Sequence, residues 1–278
     1  MTVDQGGIYV ADSGDRHLPA VVFVHGGGPS SAMWRGHMER MSGEFYCLAP
    51  DLPGFGRSNH LPSISLSQSA DLVADLISDR ARRGRAHIVG LSYGGSVVLA
   101  LLGRHPEVVD RAIIDGASVL RSWSDRPIVI GVGAISPLVN TRAASTFLRL
   151  VGWRALGEAL RTATPEAFRR AWVEGFTAPV SAKALTATCP TLLVGGEHEA
   201  SVRASNAALA ALMPRAEARY VRGLAHAWFV ARPELHVRMV EDWLGGRPLS
   251  GELIREPPRP AAVARVLADP AVAARSAE

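Results

Sequence analysis

The chain has 278 residues and a mass of 29.6 kDa, and its 47% hydrophobic and 20% charged content is typical of an ordinary globular protein. Lys183 is the only lysine, the 29 arginines are scattered, and the net charge is +4, so we expect no nucleic-acid partner. No apolar run is long enough to cross a bilayer, and no signal peptide is recognisable, so we expect no membrane partner. Cys47 and Cys189 are the only cysteines, which favours a cytoplasmic location without disulfides.

Short runs of apolar residues alternate with longer stretches of helical periodicity along most of the chain. This alternation predicts an α/β fold, a mostly parallel sheet with helices on both faces. The predicted strands are Ala20–His25, Phe45–Ala49, Ala86–Leu91, Arg111–Asp115, Thr191–Gly195 and Ala218–Arg222. The predicted helices are Ser67–Arg83, Ser92–His105, Val202–Met213 and Pro233–Leu244.

The alternation stops between residues 118 and 188, where aromatic residues and arginines concentrate. We predict a helical lid over residues 118–188, inserted into an α/β core made of residues 1–117 and 189–246. Most of the aromatic side chains of the insertion are expected to form its own small core. Residues 247–278, which begin with glycines and prolines, are predicted to be a linker and a weakly helical tail that is dispensable for chemistry.

The stretch G-L-S-Y-G-G follows the predicted strand that ends at Leu91 and opens the next helix. In a G-x-S-x-G turn between a strand and a helix, the serine is held out at the edge of the sheet, because a Cβ on either flanking glycine would clash. Ser92 is therefore the predicted nucleophile. The backbone N–H of Tyr93 would point to the place where an oxyanion forms.

The stretch H-G-G-G-P-S, residues 25–30, follows the first predicted buried strand. Three successive glycines let the backbone approach a ligand closely, so the N–H of Gly27 or Gly28 is the predicted second oxyanion donor. His25 is expected to brace this loop. A phosphate-binding loop is disfavoured, because no G-K-[ST] follows.

A serine hydroxyl needs a base, and His226 is the predicted one because its G-L-A-H segment follows the last predicted strand. The stretch G-G-E-H-E, residues 195–199, follows the preceding strand. A metal site is disfavoured there, because no second histidine completes H-E-x-x-H and neighbouring residues of an extended chain point to opposite sides. Glu199 can instead hold His226 by its Nδ1–H, which gives the chain order Ser92, Glu199, His226.

These motifs together, with D-L-P-G-F-G-R-S at residues 51–58 and Trp34 after the glycine loop, resemble the α/β-hydrolase superfamily. The resemblance covers the chain from about Gly7 to Leu244 and implies a serine hydrolase of the esterase type with a helical lid, without cofactor or metal. One departure concerns Glu199, since the family usually has aspartate there. Some members take the acid from the end of the preceding strand, so Asp115 is the alternative acid, and Glu197 is a third candidate.

The leading interpretation of the reaction is ester hydrolysis through an acyl-enzyme on Ser92. The resemblance leaves other reactions open. Dehalogenases and epoxide hydrolases of this superfamily carry aspartate in place of Ser92, which argues against both.

C–C bond hydrolases of ring-fission products share H-G-G-G-P but commonly have asparagine where Leu91 stands and tryptophan where Ala227 stands. H-G-G-G-P is also similar to prolyl aminopeptidases, but no clear acidic pair for an amino terminus is present. A lyase, a cyclase or a ligand-binding protein on the same fold is a further alternative.

The lid is expected to select a small-molecule substrate. Its aromatic residues suggest a hydrophobic or aromatic ester, and we predict substrate contacts for Trp34, Trp123 and Trp228. A further hypothesis is that lid arginines meet a substrate carboxylate; the candidates are Arg142, Arg149 and Arg154. The sequence makes no prediction of the oligomeric state.

Overall fold

The computed structural model of the chain describes residues 2–3, 7–120, 126–150 and 154–273. Its strands are β1 (Thr2–Val3), β2 (Tyr9–Ser13), β3 (Ala20–Val24), β4 (Tyr46–Pro50), β5 (Ala86–Leu91), β6 (Val109–Asp115), β7 (Thr191–Gly196), β8 (Ala216–Val221) and β9 (Leu253–Arg255). Within the described residues they form one sheet, in the order β1-β2-β4-β3-β5-β6-β7-β8-β9. The pairings from β4 to β8 are parallel, and β1, β2 and β9 add antiparallel edges. The predicted mostly parallel sheet is confirmed.

Helices connect the strands and cover the sheet. They are α1 (Arg35–Met41), α2 (Leu66–Arg80), α3 (Tyr93–Arg104), α4 (Arg126–Ile135), α5 (Arg142–Leu150), α6 (Arg154–Leu160), α7 (Pro165–Thr177), α8 (Ala182–Leu185), α9 (Ala200–Leu212), α10 (Trp228–Ala231), α11 (Pro233–Leu244), α12 (Pro260–Leu267) and α13 (Pro270–Ala273). Each strand and helix predicted above is present, with ends that differ by three residues or fewer. None of these helices combines the length and apolar character that crossing a bilayer requires.

The core lies on both faces of the sheet, as a parallel sheet requires. Strand β3 shows this directly, because its buried side chains alternate between two apolar clusters. Val22 and Val24 belong to the cluster with α2, α3 and α9, whereas Val21 and Phe23 belong to the cluster with α1 and α11. Because both faces are covered, a functional site is expected at the carboxyl edge of the parallel strands. The loops after β3, β5, β6, β7 and β8 meet there.

Between β6 and β7, the described residues form helices α4–α8 and no strand. This agrees with the helical character predicted for residues 118–188. The division into core and lid stays a prediction.

The C-terminal residues differ from the predicted linker and weakly helical tail. Strand β9 pairs antiparallel with β8, with Leu253 opposite Val221. Helix α12 packs against α9 and buries Ala262 and Val266. The prediction of a linker was wrong at Leu253–Arg255, because a three-residue strand at a sheet edge leaves little periodicity in the sequence, whereas α12 and α13 agree with the predicted helical character. The segment is part of the folded core.

Candidate active site

Ser92 lies in the turn between β5 and α3, as the G-x-S-x-G pattern predicts. Its backbone has φ 56° and ψ −117°, a conformation that costs an L-residue about 1–3 kcal/mol. Flanking glycines permit the turn, since a Cβ on Gly90 would overlap the carbonyl of Gly94, and one on Gly94 would overlap the carbonyl of Val24. The turn presents Ser92 to the cavity described below.

Two backbone N–H groups beside Ser92 are free to bind an oxyanion. Tyr93 is the first residue of α3, so its N–H has no partner within the helix. The N–H of Gly27 makes no hydrogen bond to any residue that the structure describes, whereas the Gly28 N–H donates to the Gly26 carbonyl at 2.9 Å. Gly27 and Tyr93 line the cavity. Of the two predicted loop donors, Gly27 is therefore better placed.

The glycine loop is held by two side chains. His25 donates from Nδ1–H to the Gly26 carbonyl at 2.8 Å, and its Nε2 accepts the Leu52 N–H at 3.0 Å. Burial lowers the pKa of His25, so the ring stays neutral, as this pair of hydrogen bonds requires. From α7, Trp172 Nε1–H donates to the Gly27 carbonyl at 2.8 Å. The sequence suggested the His25 contact, but it did not single out Trp172.

His226 and Glu199 form the pair that the sequence predicts. His226 Nδ1–H donates to Glu199 Oε1 at 2.7 Å, and Glu199 Oε2 accepts the Gly196 N–H at 2.7 Å. The loops after β7 and β8 bring the two residues together although 27 positions separate them. Ser92, Glu199 and His226 all line one cavity, which leaves Nε2 of the histidine for the substrate side.

The electrostatic setting favours the protonated form of His226. Burial lowers the pKa of His226, but the hydrogen bond and charge of Glu199, with the charge of Asp115, raise that pKa above 6.5 overall. The three raising effects together outweigh the lowering effect of burial. The imidazolium that forms when the ring takes a proton is therefore stabilised.

Gly116, which follows β6, supports the imidazole ring of His226. A Cβ on Gly116 would lie 2.7 Å from Cε1 of His226 and 2.9 Å from Nδ1. Gly116 has φ +66°, a backbone conformation that glycine adopts without strain. The ring can sit at its observed place only because this position has no side chain. This role was not predicted from the sequence, although A-I-I-D-G places a glycine directly after a strand.

The site opens into a cavity of about 510 Å³. Its aromatic wall consists of Tyr93, Trp172 and Phe176. A second cavity, of about 380 Å³, shares Ser96 and Ser118 with the first. It follows α3 from Ser96 past Ala100 and Leu99 to Arg104, a distance of about 12 Å at the rise of an α-helix. The two cavities together offer room for an elongated small molecule.

The structure corrects the predicted substrate contacts of Trp34 and Trp228. Trp34 is 0% exposed and packs against Phe23, with ring centres 5.2 Å apart, and Trp228 is 1% exposed. Both rings lie in the core beside α1 and α11, and neither lines the cavity. Trp228 lies two positions after His226 in the sequence, but α10 directs its ring into the core. Trp123 lies outside the described residues.

Asp115, the alternative acid, is committed to other partners. Its Oδ1 accepts Trp228 Nε1–H at 3.0 Å, and its Oδ2 accepts His236 Nε2–H at 3.1 Å. His236 Nδ1 in turn lies 2.7 Å from His37 Nε2 in the core. Burial raises the pKa of Asp115, although the hydrogen bond from His236 acts in the opposite direction. Since His226 bonds Glu199, the geometry favours Glu199 as the acid.

The other residues of G-G-E-H-E have separate contacts. Glu197 Oε2 accepts the Gly223 N–H at 2.7 Å, so this carboxylate ties the acid loop to the loop that precedes His226. The backbone N–H of His198 donates to the Leu224 carbonyl at 2.9 Å. Glu197 and Glu199 therefore bind different backbone N–H groups. Within the described residues, their carboxylates and the imidazole of His198 do not form a group that could hold a metal ion.

Two of the arginines predicted to meet a substrate do not line the cavity that Ser92 lines. Arg142 and Arg149 line a separate cavity of about 210 Å³ on α5 and α6, together with Arg161. This placement contradicts the hypothesis that these two arginines meet a substrate carboxylate beside Ser92. The side chain of Arg154 lies outside what the structure describes.

The chain is similar to known hydrolases in both sequence and structure. A model described as the alpha/beta hydrolase family matches residues 21–238. The chain is 27% identical over 257 residues to carboxylesterase YbfK of Bacillus subtilis (strain 168), which covers 87% of this chain and 85% of that protein. A thermophilic esterase from Thermogutta terrifontis superposes with a TM-score of 0.71 at 20% identity, over 88% of this chain and 96% of that chain. The enol-lactonase from Burkholderia xenovorans LB400 superposes with a TM-score of 0.66 at 23% identity, over 86% of this chain and 96% of that chain. Both structural likenesses confirm the predicted fold.

Proposed function

Because the chain belongs to the alpha/beta hydrolase family, we propose that it hydrolyses a hydrophobic or aromatic carboxylic ester through an acyl-enzyme on Ser92. The observation that carries the proposal is the 2.7 Å hydrogen bond between Glu199 and His226, in the wall of the cavity that Ser92 also lines. Relatives named carboxylesterase and enol-lactonase support ester bonds as the class of substrate.

In the proposed reaction, Ser92 Oγ attacks the ester carbonyl carbon while His226 Nε2 accepts the hydroxyl proton. The N–H groups of Gly27 and Tyr93 donate hydrogen bonds to the carbonyl oxygen as it becomes negatively charged. Glu199 keeps Nδ1 of the histidine protonated and stabilises the imidazolium. The imidazolium then gives its proton to the departing alcohol. A water that the same histidine deprotonates then attacks the acyl carbon, and the histidine returns the proton to Ser92 Oγ as the acid leaves.

The substrate class follows from the cavity walls. Trp172, Phe176 and Tyr93 line the cavity and offer an aromatic surface to one part of an ester. The adjoining cavity along α3 suits a straight acyl or alkyl chain, because apolar residues such as Leu99 and Ala100 contribute to its wall. We therefore expect esters with one elongated apolar part to be turned over better than acetates.

Covalent labelling tests the nucleophile. The protein is treated with a fluorophosphonate, and the adduct is located by mass spectrometry. A rapid adduct is expected on Ser92, absent in Ser92→Ala and slowed in His226→Ala. Ser96→Ala is the matched control, since Ser96 lines the same cavity but lies one helical turn away and is expected to leave labelling unchanged.

Turnover of p-nitrophenyl esters by the wild type, lost in Ser92→Ala, supports the hydrolase. A folded protein that forms no adduct and turns over no ester would contradict the proposal. Saturable binding of a hydrophobic ligand without turnover would then support a binding or non-hydrolytic role for this fold.

A further inference from the structure

The C-terminal segment lies beyond the part of the chain that the family model matches, which ends at residue 238. It nevertheless pairs with the strand that leads to His226. Strand β9 runs antiparallel to β8, and the Glu256 N–H extends the pairing by donating to the Ala218 carbonyl at 2.9 Å. The backbone of this segment therefore holds the strand that leads to His226.

The side chain of Glu256 reaches in the other direction, towards α9, the helix that begins directly after Glu199. It is 1% exposed, and it binds Arg203 of α9 through both oxygens, at 2.7 Å from Nε and 3.1 Å from Nη2. Arg259 also donates to the carboxylate, at 3.1 Å. The guanidinium of Arg203 lies 4.0 Å from the ring centre of Tyr220 in β8. A planar, bidentate pair of this kind fixes the orientation of the arginine.

Arg203 passes this orientation on to the acid loop. Its Nη1–H donates to the Glu197 carbonyl at 3.3 Å, and its own N–H donates to the Glu199 carbonyl at 2.9 Å as α9 begins. Through Glu197, whose carboxylate binds the Gly223 N–H, the loop is joined to the loop that precedes His226. One buried carboxylate thus connects β8 with the residues on both sides of the acid.

We propose that Glu256, acting through Arg203, is a positioning residue that keeps Glu199 at hydrogen-bond distance from His226. The C-terminal segment then holds both partners of the pair, the base through β8 and the acid through α9. This inference rests on the proposed function for its kinetic consequences, because it concerns the base that activates Ser92. It gives the segment predicted to be dispensable a part in setting the strength of the base.

Glu256→Gln is the test, because it keeps the size of the side chain and removes the charge that orients Arg203. The matched control is Glu252→Gln, on the same segment, where the carboxylate is half exposed and pairs with Arg232 at the surface. In Glu256→Gln we expect kcat to fall about tenfold with little change in KM, since a displacement of a fraction of an ångström in a catalytic group has effects of this order. Glu252→Gln is expected to match the wild type.

Two further readouts separate positioning from a purely structural role. The acid limb of the kcat/KM profile is expected to shift to lower pH in Glu256→Gln, because a looser contact with Glu199 raises the pKa of His226 less. The low-field proton resonance of His226 Nδ1–H is expected to move upfield or disappear. If Glu256→Gln lowers only the melting temperature and leaves both readouts as in the wild type, the proposal is overturned.

Arg203→Lys covers the case in which Glu256→Gln does not fold. Lysine keeps the positive charge beside Glu256 but has no fork to reach the Glu197 carbonyl at the same time. The same upfield shift and the same fall in kcat are expected, and an unchanged resonance in this variant would also overturn the inference. Failure of the proposed function is recognised separately, since the resonance reports the contact of Glu199 with His226 without any turnover.

Discussion

Replacement of Gly116 by alanine is the most direct test of how the base is placed. The new Cβ would lie 2.7 Å from Cε1 of His226 and 2.9 Å from Nδ1. Ordinary van der Waals contact begins near 3.4 Å, so the imidazole has to move by roughly 0.7 Å. The backbone cannot relieve the contact easily, because Gly116 is hydrogen-bonded through its N–H to the Val194 carbonyl at 3.0 Å.

The displacement changes the two distances on which the base depends. The hydrogen bond from Nδ1 of His226 to Glu199 is now 2.7 Å, and Nε2 has to reach the hydroxyl of Ser92. A misplacement of about 1 Å can cost about 10²-fold in rate, so we expect kcat of Gly116→Ala to fall roughly 30- to 100-fold. The left-handed backbone, with φ +66°, adds a loss of stability of about 1–2 kcal/mol.

Steady-state hydrolysis of a p-nitrophenyl ester measures the effect, with thermal unfolding recorded in parallel. Gly84→Ala is the matched control, because Gly84 has φ +61° but a Cβ there meets no atom within 4 Å. Both variants carry the cost of the left-handed backbone, and only Gly116→Ala should lose activity. If the kcat values of the two variants agree within about threefold, the argument that Gly116 seats the imidazole is refuted.

Two further predictions concern the base and the second cavity. Neutral His226 is the active form and Glu199 raises its pKa, so kcat/KM should increase with pH through an apparent pKa above 6.5. In Glu199→Gln, this rise of kcat/KM should move to lower pH, and the maximal kcat/KM should fall by on the order of 10⁴-fold. The pH dependence of kcat/KM checks both, and an acid limb that stays in place would contradict the assignment of Glu199. Ala100→Trp should narrow the cavity along α3, so kcat/KM for octanoate esters should fall about tenfold or more while acetate esters change little. A chain-length profile like that of the wild type would show that acyl chains do not enter this cavity.

The residues of the candidate site were predictable because backbone and topology determine their positions. Ser92 needs a strand, a helix and two glycines in immediate succession, and this local pattern is visible in the sequence. Glu199 and His226 follow the last two parallel strands, so the topology of the sheet brings them to the edge where Ser92 lies. The G-x-S-x-G motif and the order of the buried strands were therefore enough to predict which three residues meet at this edge.

The substrate contacts were harder to predict, because they depend on the face of an element to which each side chain points. Trp228 stands two positions after His226, yet α10 directs its ring into the core, where Nε1–H binds Asp115. Trp172 was one of several aromatic residues in the insertion, and only the crossing of α7 over the glycine loop brings it to Gly27. Such contacts arise from packing between distant elements, which has no signature in a local stretch of sequence.

The glutamate at the acid position illustrates how a departure from a family pattern is accommodated. The longer side chain of Glu199 reaches back to the end of β7, where one oxygen accepts the Gly196 N–H and the other accepts Nδ1–H of His226. An acid thus anchored at one oxygen holds the imidazole in a single orientation. Asp115 cannot take over this contact, because the hydrogen bonds of its oxygens run to the core. Its charge still acts on His226 through space and raises the pKa of the ring. The base is therefore strengthened by two carboxylates, of which only Glu199 touches it.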